Sequence, residues 1–243
     1  MARPDPRTLE VIRVKQITPH MRRVTLGGQG LSSFPEDQES AYLKMLFSQE
    51  GSDKPMLRTY TVRYQRNNEI DVDFVLHHDG GPAATWAATV KPGETIDVRG
   101  PGPKKLVDTN ADWFLIVGDM TALPAISVNI ESLPANAKGH AVIEVIEEDD
   151  IQELSAPKNF EIHWLVNPQP GENSQMLVSK IRSLPWQDGK PSVWAACEFN
   201  SVRELREYFR GERQLDKNEL YISSYWKHGN DEDAHRIAKR ADA

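Results

Sequence analysis

The stretch "LRTYTVRYQ", residues 57–65, holds residue types that together suit a phosphorylated aromatic ligand. In an extended strand, alternate side chains share a face, which places Arg58, Tyr60 and Val62 on one side. Arg58 offers a planar donor for a phosphate and Tyr60 a ring for stacking, while Thr61 offers a hydroxyl near the strand end. An exposed strand with solvated arginines and a packed tyrosine has the same pattern. The residues alone therefore leave both interpretations open.

A second candidate for ligand binding is the segment "DGGPAATWA", residues 79–87. Its glycines permit a tight turn, and its proline suits the first position of a helix. The free N–H groups of Ala83 and Ala84 then point at one spot, and a helix N-terminus binds anions. An ordinary loop-to-helix junction fits equally well, and His77 taken alone is more typical of a structural histidine than of a ligand.

The first hundred positions contain short segments in which apolar and polar residues alternate, and turn residues separate one segment from the next. These segments must position the candidate ligand-binding residues. They predict six strands and hence a small antiparallel barrel or sandwich. The segments are "LEVIRVKQIT", "MRRVTLGG", "AYLKMLF", "RTYTVRY", "EIDVDFVLHH" and "ETIDVRG".

The pattern changes after "GPGPKKLVDTNAD", where apolar strands alternate with helical segments. This alternation predicts a parallel, doubly wound sheet, and the domain boundary is expected between Gly102 and Ala111. Asn200 or Ser201 is expected to cap the third of these helices. The expected strands are "WFLIVG", "GHAVIEVI", "FEIHWLV", "SVWAACE" and "LYISSYW", and the expected helices are 121–132, 174–184 and 200–210.

Composition excludes several classes of protein. The 243 residues carry a net charge of −7, which argues against a nucleic-acid binder that neutralises phosphates. The single cysteine, Cys197, excludes an internal disulfide and a cysteine-rich metal site, and the histidines show no ligand spacing, so no metal site is expected. No secretory signal or membrane-spanning run is present, so a cytoplasmic protein without membrane insertion is expected, with a monomer as the default.

Six segments, in order, resemble the siderophore-interacting protein family: "RTYTVR", "DVDFVLHHDGGPAATWA", "GPGPKK", "GDMTALPAI", "WAACE" with "VRELREYF", and "YWKHG". Members of this family are FAD-dependent ferric-siderophore reductases related in fold to the ferredoxin–NADP reductases. The resemblance implies a six-stranded antiparallel flavin-binding barrel at 1–106. A parallel-sheet α/β nucleotide-binding domain with a C-terminal helix is implied at 107–243.

The resemblance also implies which residues hold FAD. The isoalloxazine ring and adjoining phosphates are assigned to Arg58, Tyr60, Thr61 and Val62. The pyrophosphate is assigned to His77, Gly81, Ala83, Thr85, Trp86 and Ala87, through backbone N–H groups and the helix end.

NADH or NADPH is the implied electron donor. In "GDMTALPAI" only Gly118 of the dinucleotide fingerprint is present, so the residues alone fit a plain strand–helix connection. The acidic run "EVIEEDD" favours NADH unless it is a solvated loop. Cys197 is expected at a turn where the family usually has glycine, and there its side chain would crowd the nucleotide. The resemblance places these further residues at the cofactor site: Asp119, Thr121, Ala122, Glu198 and Trp226.

The resemblance assigns binding of the anionic ferric siderophore to Lys227 and His228 of "YWKHG", which closes over the flavin site in the family and supplies cationic groups. It also assigns binding to Lys44, which matches a lysine often found in the family's barrel. No side chain is assigned a catalytic role, because the flavin carries the electrons from NAD(P)H to Fe(III) and Fe(II) is released. Two alternatives remain open. One is a flavin-dependent reductase that exchanges electrons with a ferredoxin-like partner, and the other is a redox-inactive siderophore-binding protein.

Overall fold

A computed structural model describes residues 5–49, 51–76, 80–230 and 232–242, without the side chains of Asp53 and Asp233. The chain divides into two units, Met1–Lys105 and Leu106–Ala243. Each unit has its own sheet and its own apolar core.

The first unit is a closed antiparallel barrel with the strand order β1-β2-β5-β4-β3-β6, in which β6 pairs back onto β1. The prediction of six strands is confirmed, and a barrel rather than a sandwich forms. β4 begins at Ser52 rather than near Arg58, because a hairpin at Gly51 (φ 73°) pairs Ser52 with Gln49. The strands are β1 Arg7–Thr18, β2 Met21–Gly27, β3 Tyr42–Gln49, β4 Ser52–Arg66, β5 Glu69–Val75 and β6 Thr95–Arg99.

Alternating apolar side chains fill the barrel, and members such as Leu43, Val62 and Phe74 have no exposed surface. Helix α1, Pro82–Thr89, packs against β2 and β5 and adds Ala83 and Ala87 to the same core. Burying one helix face against the barrel holds the start of α1 in a defined position relative to the strands.

The second unit is a five-stranded parallel sheet with the order β11-β10-β7-β8-β9. The chain leaves β7 toward β8 on one side and later returns to β10 on the other, so β7 marks the switch point where such sheets receive ligands. The elements are β7 Trp113–Gly118, α2 Leu123–Glu131, β8 Lys138–Val145, β9 Asn159–Val166, α3 Met176–Ser183, β10 Pro191–Glu198, α4 Phe199–Arg206, β11 Leu220–Trp226 and α5 Glu232–Ala241. The predicted parallel α/β fold is confirmed.

The third predicted helix differs from the sequence expectation in two respects. Its cap is Glu198 and not Asn200 or Ser201, because the Glu198 carboxylate accepts the N–H groups of Asn200 (2.5 Å) and Ser201 (3.2 Å). Glu198 directly precedes the first residue of α4, so its carboxylate can accept two of the first-turn N–H groups that have no partner within the helix. In addition, α4 ends at Arg206 and continues as a π-helix over Glu207–Glu212.

Short 3₁₀ segments occur at Gln29–Leu31 and Glu148–Asp150. Among the described residues, no helix has both the length and the apolar character needed to cross a lipid bilayer.

Candidate functional site

Arg58 and Tyr60 point toward the inside of the barrel. They lie opposite Met45 and Leu43 on β3, and both of those side chains are fully buried. The Arg58 guanidinium donates to the carbonyl of Leu57 at 3.0 Å. Both residues are only half-buried, so this end of β4 keeps a cation and an aromatic ring partly open to solvent.

An aromatic cluster links β4 to helix α1. The Tyr60 ring lies 4.3 Å from the ring of Phe74 between centroids, and Phe74 lies 5.5 Å from Trp86. Trp86 also contacts Phe47 edge-on at 5.9 Å. Ala87 beside it is fully buried, so α1 is held against the barrel wall from which Tyr60 extends.

The N-terminus of α1 begins at an exposed glycine. Gly81 forms its extended N-cap, and a Cβ built there meets no atom of the described residues within 4 Å, its two chain neighbours aside. The N–H groups of Ala83 and Ala84 have no acceptor inside α1 because they belong to its first turn. Thr85 is exposed, one turn into the helix. His77, predicted to bind here as well, lies outside the described residues.

Val62 and Thr61 occupy different environments. Val62 has no exposed surface, and its backbone is fully used: its N–H donates to the Ala41 carbonyl (2.8 Å), and its carbonyl accepts the N–H of Ser40 (2.9 Å). Val62 therefore supports the barrel and offers a ligand neither side-chain surface nor a backbone donor. Thr61 lies on the outer face, opposite Tyr42, and is 8% exposed.

Lys44 lies on the outer face of the barrel on β3, the middle strand of the three neighbours β4, β3 and β6. It pairs with Thr59 on β4 and with Arg99 on β6, and its ammonium donates to the Thr59 hydroxyl. The Arg99 Nε is buried and has no hydrogen-bond partner among the described residues. Two neighbouring cations on one face form a local basic patch on an otherwise acidic chain.

Asp119 organises the carboxyl edge of the parallel sheet. Its Oδ1 accepts the backbone N–H of Thr121 (2.9 Å) and the Thr121 hydroxyl (2.5 Å), and its Oδ2 accepts the indole N–H of Trp226 (2.8 Å). Burial raises the pKa of Asp119, and the donors from Thr121 and Trp226 oppose that rise. Ala122, also predicted to contact cofactor, is fully buried in the core.

Gly118, the single glycine of this turn, is required by strand packing. A Cβ at this position would lie 2.3 Å from the carbonyl oxygen of Ala196 on β10. Because that contact is with backbone, only glycine lets β7 and β10 approach so closely.

Glu198 joins β10, α4 and the segment after β11. One of its oxygens caps α4, and the other accepts the backbone N–H of His228 at 3.2 Å. The Lys227 ammonium lies 4.5 Å from the centre of the Phe199 ring, whereas the side chain of His228 is exposed. The predicted residues Asp119, Thr121, Glu198, Trp226 and His228 therefore surround one edge of this sheet.

Glu144 was missed by the sequence analysis. It lies on β8, is 6% exposed, and accepts the side-chain amide of Asn167 at 2.9 Å. Burial, reinforced by the charges of Asp119 and Glu198, raises the pKa of Glu144 to about 7. In the sequence, the clue to a buried acid is a single glutamate within the otherwise apolar strand "AVIEVI". The acidic run directly after the strand makes this glutamate hard to single out.

The expectation for Cys197 is wrong. It lies inside β10 rather than at a turn, and its side chain has no exposed surface and packs in the core with Val117 and Val202. Burial, together with nearby carboxylates, raises the pKa of this thiol well above its usual value. Its side chain therefore points into the core instead of crowding a ligand at the sheet edge.

The acidic run after β8 is partly used for local structure. Glu147 and Asp150 form a capping box around the 3₁₀ segment, in which each side chain accepts the other's backbone N–H. Glu148 and Asp149 are exposed. A preference for NADH stays a prediction.

Comparison with known proteins identifies the family. Residues 111–229 match the family model described as "Siderophore-interacting protein", and residues 10–57 and 48–105 match that of the "Siderophore-interacting FAD-binding domain". The chain belongs to the siderophore-interacting protein family. The recognition made from the six sequence segments is confirmed.

Relatives in this family resemble the chain over nearly its whole length. The ferric vibriobactin reductase of Vibrio cholerae is 36% identical over 95% of this chain and 92% of that protein. The ferric acinetobactin reductase of Acinetobacter baumannii is 29% identical over 93% and 80% of the two chains. The crystal structure of the siderophore-interacting protein SipS from Aeromonas hydrophila has 35% identity and a TM-score of 0.88, covering 98% of this chain and 97% of that one.

FAD fits the barrel of this siderophore-interacting family member. The matched FAD-binding domain contains Arg58, Tyr60 and the start of α1. An arginine and a helix N-terminus suit the phosphates of FAD, and a partly open aromatic ring suits its isoalloxazine.

Proposed function

We propose that this siderophore-interacting protein is an FAD-dependent ferric-siderophore reductase that uses NADH or NADPH. The supporting observation is that the family matches span both units, and that relatives similar over most of the chain are named as ferric-siderophore reductases. Iron leaves a siderophore on reduction because hard oxygen ligands hold Fe(III) far more strongly than Fe(II).

The barrel, residues 1–106, holds FAD in this proposal. Arg58 binds a phosphate, the ring of Tyr60 contacts the isoalloxazine, and the α1 N–H groups of Ala83 and Ala84 bind the pyrophosphate. The bound flavin supplies the conversion of a two-electron hydride into single electrons. Val62, Trp86 and Ala87 act by holding these groups in place, since they are buried or packed against Phe74 and the barrel.

The unit at 107–243 binds NADH or NADPH at the carboxyl edge of its sheet. Asp119 and Glu198 bring carboxylates to this edge, and carboxylates favour the positively charged oxidised nicotinamide over the neutral reduced ring. Thr121 is held by Asp119 with its hydroxyl oxygen available as an acceptor. Trp226, fixed by the same carboxylate, provides an aromatic surface.

The ferric siderophore is an anionic chelate. Its binding site needs cationic side chains that can contact the chelate in many orientations. Lys44, beside Arg99 on the outer face of the barrel, meets this requirement, and Lys227 and His228 are the candidates of the second unit. A role for a ferredoxin, a monomeric state and a cytoplasmic location stay predictions.

An anaerobic assay tests the proposal. Purified protein with FAD receives NADH or NADPH and a panel of catecholate, hydroxamate and mixed ferric siderophores, and a chromogenic chelator traps Fe(II). Donor-dependent Fe(II) formation is expected with at least one siderophore class. Reduction of neutral dyes without any Fe(II) would point to a general flavin reductase, and failure to take up FAD would point to a redox-inactive binding protein.

A further inference from the structure

Three side chains of metal-ligand type meet on the neighbouring strands β8 and β9. The Nδ1 of His140 and the Nε2 of His163 are 3.3 Å apart. One carboxylate oxygen of Glu161 lies 3.7 Å from each of these nitrogens. The three atoms form a nearly equilateral triangle.

Strand register brings these residues together. In the parallel β8–β9 pair, His140 lies opposite Glu161 and Val142 lies opposite His163. Opposite residues share a face, and so do residues two apart on one strand, so all three side chains project from the same side. Nothing in the linear spacing of the histidines signals this arrangement.

We propose that His140, His163 and Glu161 bind a Zn²⁺ ion. Tetrahedral Zn²⁺ binds its ligand atoms at about 2.0–2.1 Å, which places these atoms about 3.4 Å from one another. The sides of the observed triangle, 3.3, 3.7 and 3.7 Å, are close to this value. An octahedral ion such as Mg²⁺, at a similar ligand distance, requires adjacent ligands about 3.0 Å apart and prefers oxygen over imidazole. Three protein ligands leave a fourth position for water or another small ligand.

The surroundings suit a bound cation. Burial is the main cause that lowers the pKa of both His140 and His163. Lys180 is the charged group that opposes a cation here, and it also lowers both histidine pKa values, while Glu161 counters it. The other ring nitrogen of His140 lies 3.5 Å from the side-chain amide nitrogen of Gln187.

The site opens to solvent on one side. The side chain of Glu161 is 69% exposed, whereas that of His140 is 8% exposed, so an ion enters beside the carboxylate and ends next to a desolvated imidazole. His140 precedes Glu144 by four positions on β8, about 13 Å along the strand. The zinc site is therefore separate from the carboxyl edge, and it does not depend on the proposed reductase activity.

Zinc binding to the full-length protein tests this proposal. Untagged protein, treated with a chelator and then freed of it, is titrated calorimetrically with ZnCl₂. The variants His163→Ala and Glu161→Gln are compared with Glu153→Gln, an exposed acid elsewhere on the chain. Both ligand variants are expected to weaken binding of one Zn²⁺ by more than about tenfold, since even outer partners of zinc sites contribute that much.

Cobalt provides an independent readout. Co²⁺ bound to the wild-type protein is expected to give the strong visible absorption of tetrahedral coordination at wavelengths beyond those of flavin, and Glu161→Gln is expected to lose it. Because Glu161 is mostly exposed, this variant keeps the fold even if His163→Ala does not. Absence of Zn²⁺ binding by the wild type, equal binding by Glu161→Gln, or weak octahedral Co²⁺ absorption would each overturn the proposal.

Discussion

The indole N–H of Trp226 donates a 2.8 Å hydrogen bond to the buried carboxylate of Asp119. This bond joins the end of β11, an outer strand, to the turn after β7 at the centre of the sheet. Asp119 also holds Thr121, and Trp226 immediately precedes Lys227, so one carboxylate fixes several groups of the candidate nucleotide site.

Replacing Trp226 by phenylalanine is expected to lower the free energy of unfolding by about 1–3 kcal/mol, because one oxygen of a buried carboxylate loses its donor. Urea denaturation of the two proteins measures this difference. Trp164→Phe, at a half-buried tryptophan of β9, is the matched control. An equal loss in both variants would mean that only ring size matters and not the bond to Asp119.

Glu144 is expected to make stability fall as pH rises. Its pKa is raised from 4.5 to about 7, so the folded protein binds a proton that the unfolded chain releases. This contribution is complete below pH 4.5 and is lost as pH rises to about 7, and it amounts to about 3 kcal/mol. Glu144→Gln keeps an acceptor for Asn167, and its stability relative to the wild type is expected to improve by that amount between pH 4.5 and 8.

Denaturant unfolding at several pH values measures the effect of Glu144. Glu172→Gln, an exposed acid of the same unit, should show no such trend. A constant difference between Glu144→Gln and the wild type across the range would contradict the raised pKa.

His235 on α5 is expected to act in the opposite direction. It is buried and lies 2.9 Å from the hydroxyl of Ser224, and burial, with the charges of Lys239 and Lys227, lowers its pKa to about 4. The stability that depends on the neutral imidazole is full above pH 6.5 and is lost as pH falls toward 4. Protonation is expected to cost about 2 kcal/mol after allowance for solvent screening, and to loosen α5.

Hydrogen exchange of residues 232–242 at pH 5 and pH 7.5 tests the effect of His235. Exchange in the wild type should accelerate at pH 5, beyond the intrinsic pH effect, and His235→Gln should remove this acceleration. His228→Gln, at an exposed histidine, is the control. Persistence of the acceleration in His235→Gln would assign it to another group.

The thiol of Cys197 is expected to be unreactive in the folded protein. It has no exposed surface, and its pKa is raised well above the usual value, so the reactive thiolate is almost absent. A thiol-specific disulfide reagent should label one group per chain in denaturant and essentially none under native conditions. Rapid native labelling would show that β10 opens readily at this position.

Lys44→Ala is expected to raise the KM for a ferric siderophore about two- to fivefold, as loss of one partly exposed charge contact does. Reduction of a neutral dye should be unchanged, and Lys15→Ala, at an exposed lysine of β1, should alter neither reaction. Steady-state kinetics with both acceptors measure the effect. Equal changes for the dye and the chelate would remove Lys44 from substrate binding.

The sequence by itself determined the secondary structure and the family. Alternation with a period of two residues and continuous apolar runs are local properties, so the approximate positions of the eleven strands within the described residues could be read from them, apart from the early start of β4 at Ser52. The motif around Arg58 and Tyr60 and the glycine turn at 80–81 carried the family resemblance in the same local way.

Only the tertiary structure decided which side chains meet. Pairing and register are non-local: they bring His140 beside His163 and set Glu144 near Asp119, across distances in sequence that no spacing rule covers. Register also directs Cys197 into the core. A local pattern predicts that a residue lies on a strand, but the side chain's neighbours depend on which strand pairs alongside it, and that is decided by the packing of the whole sheet.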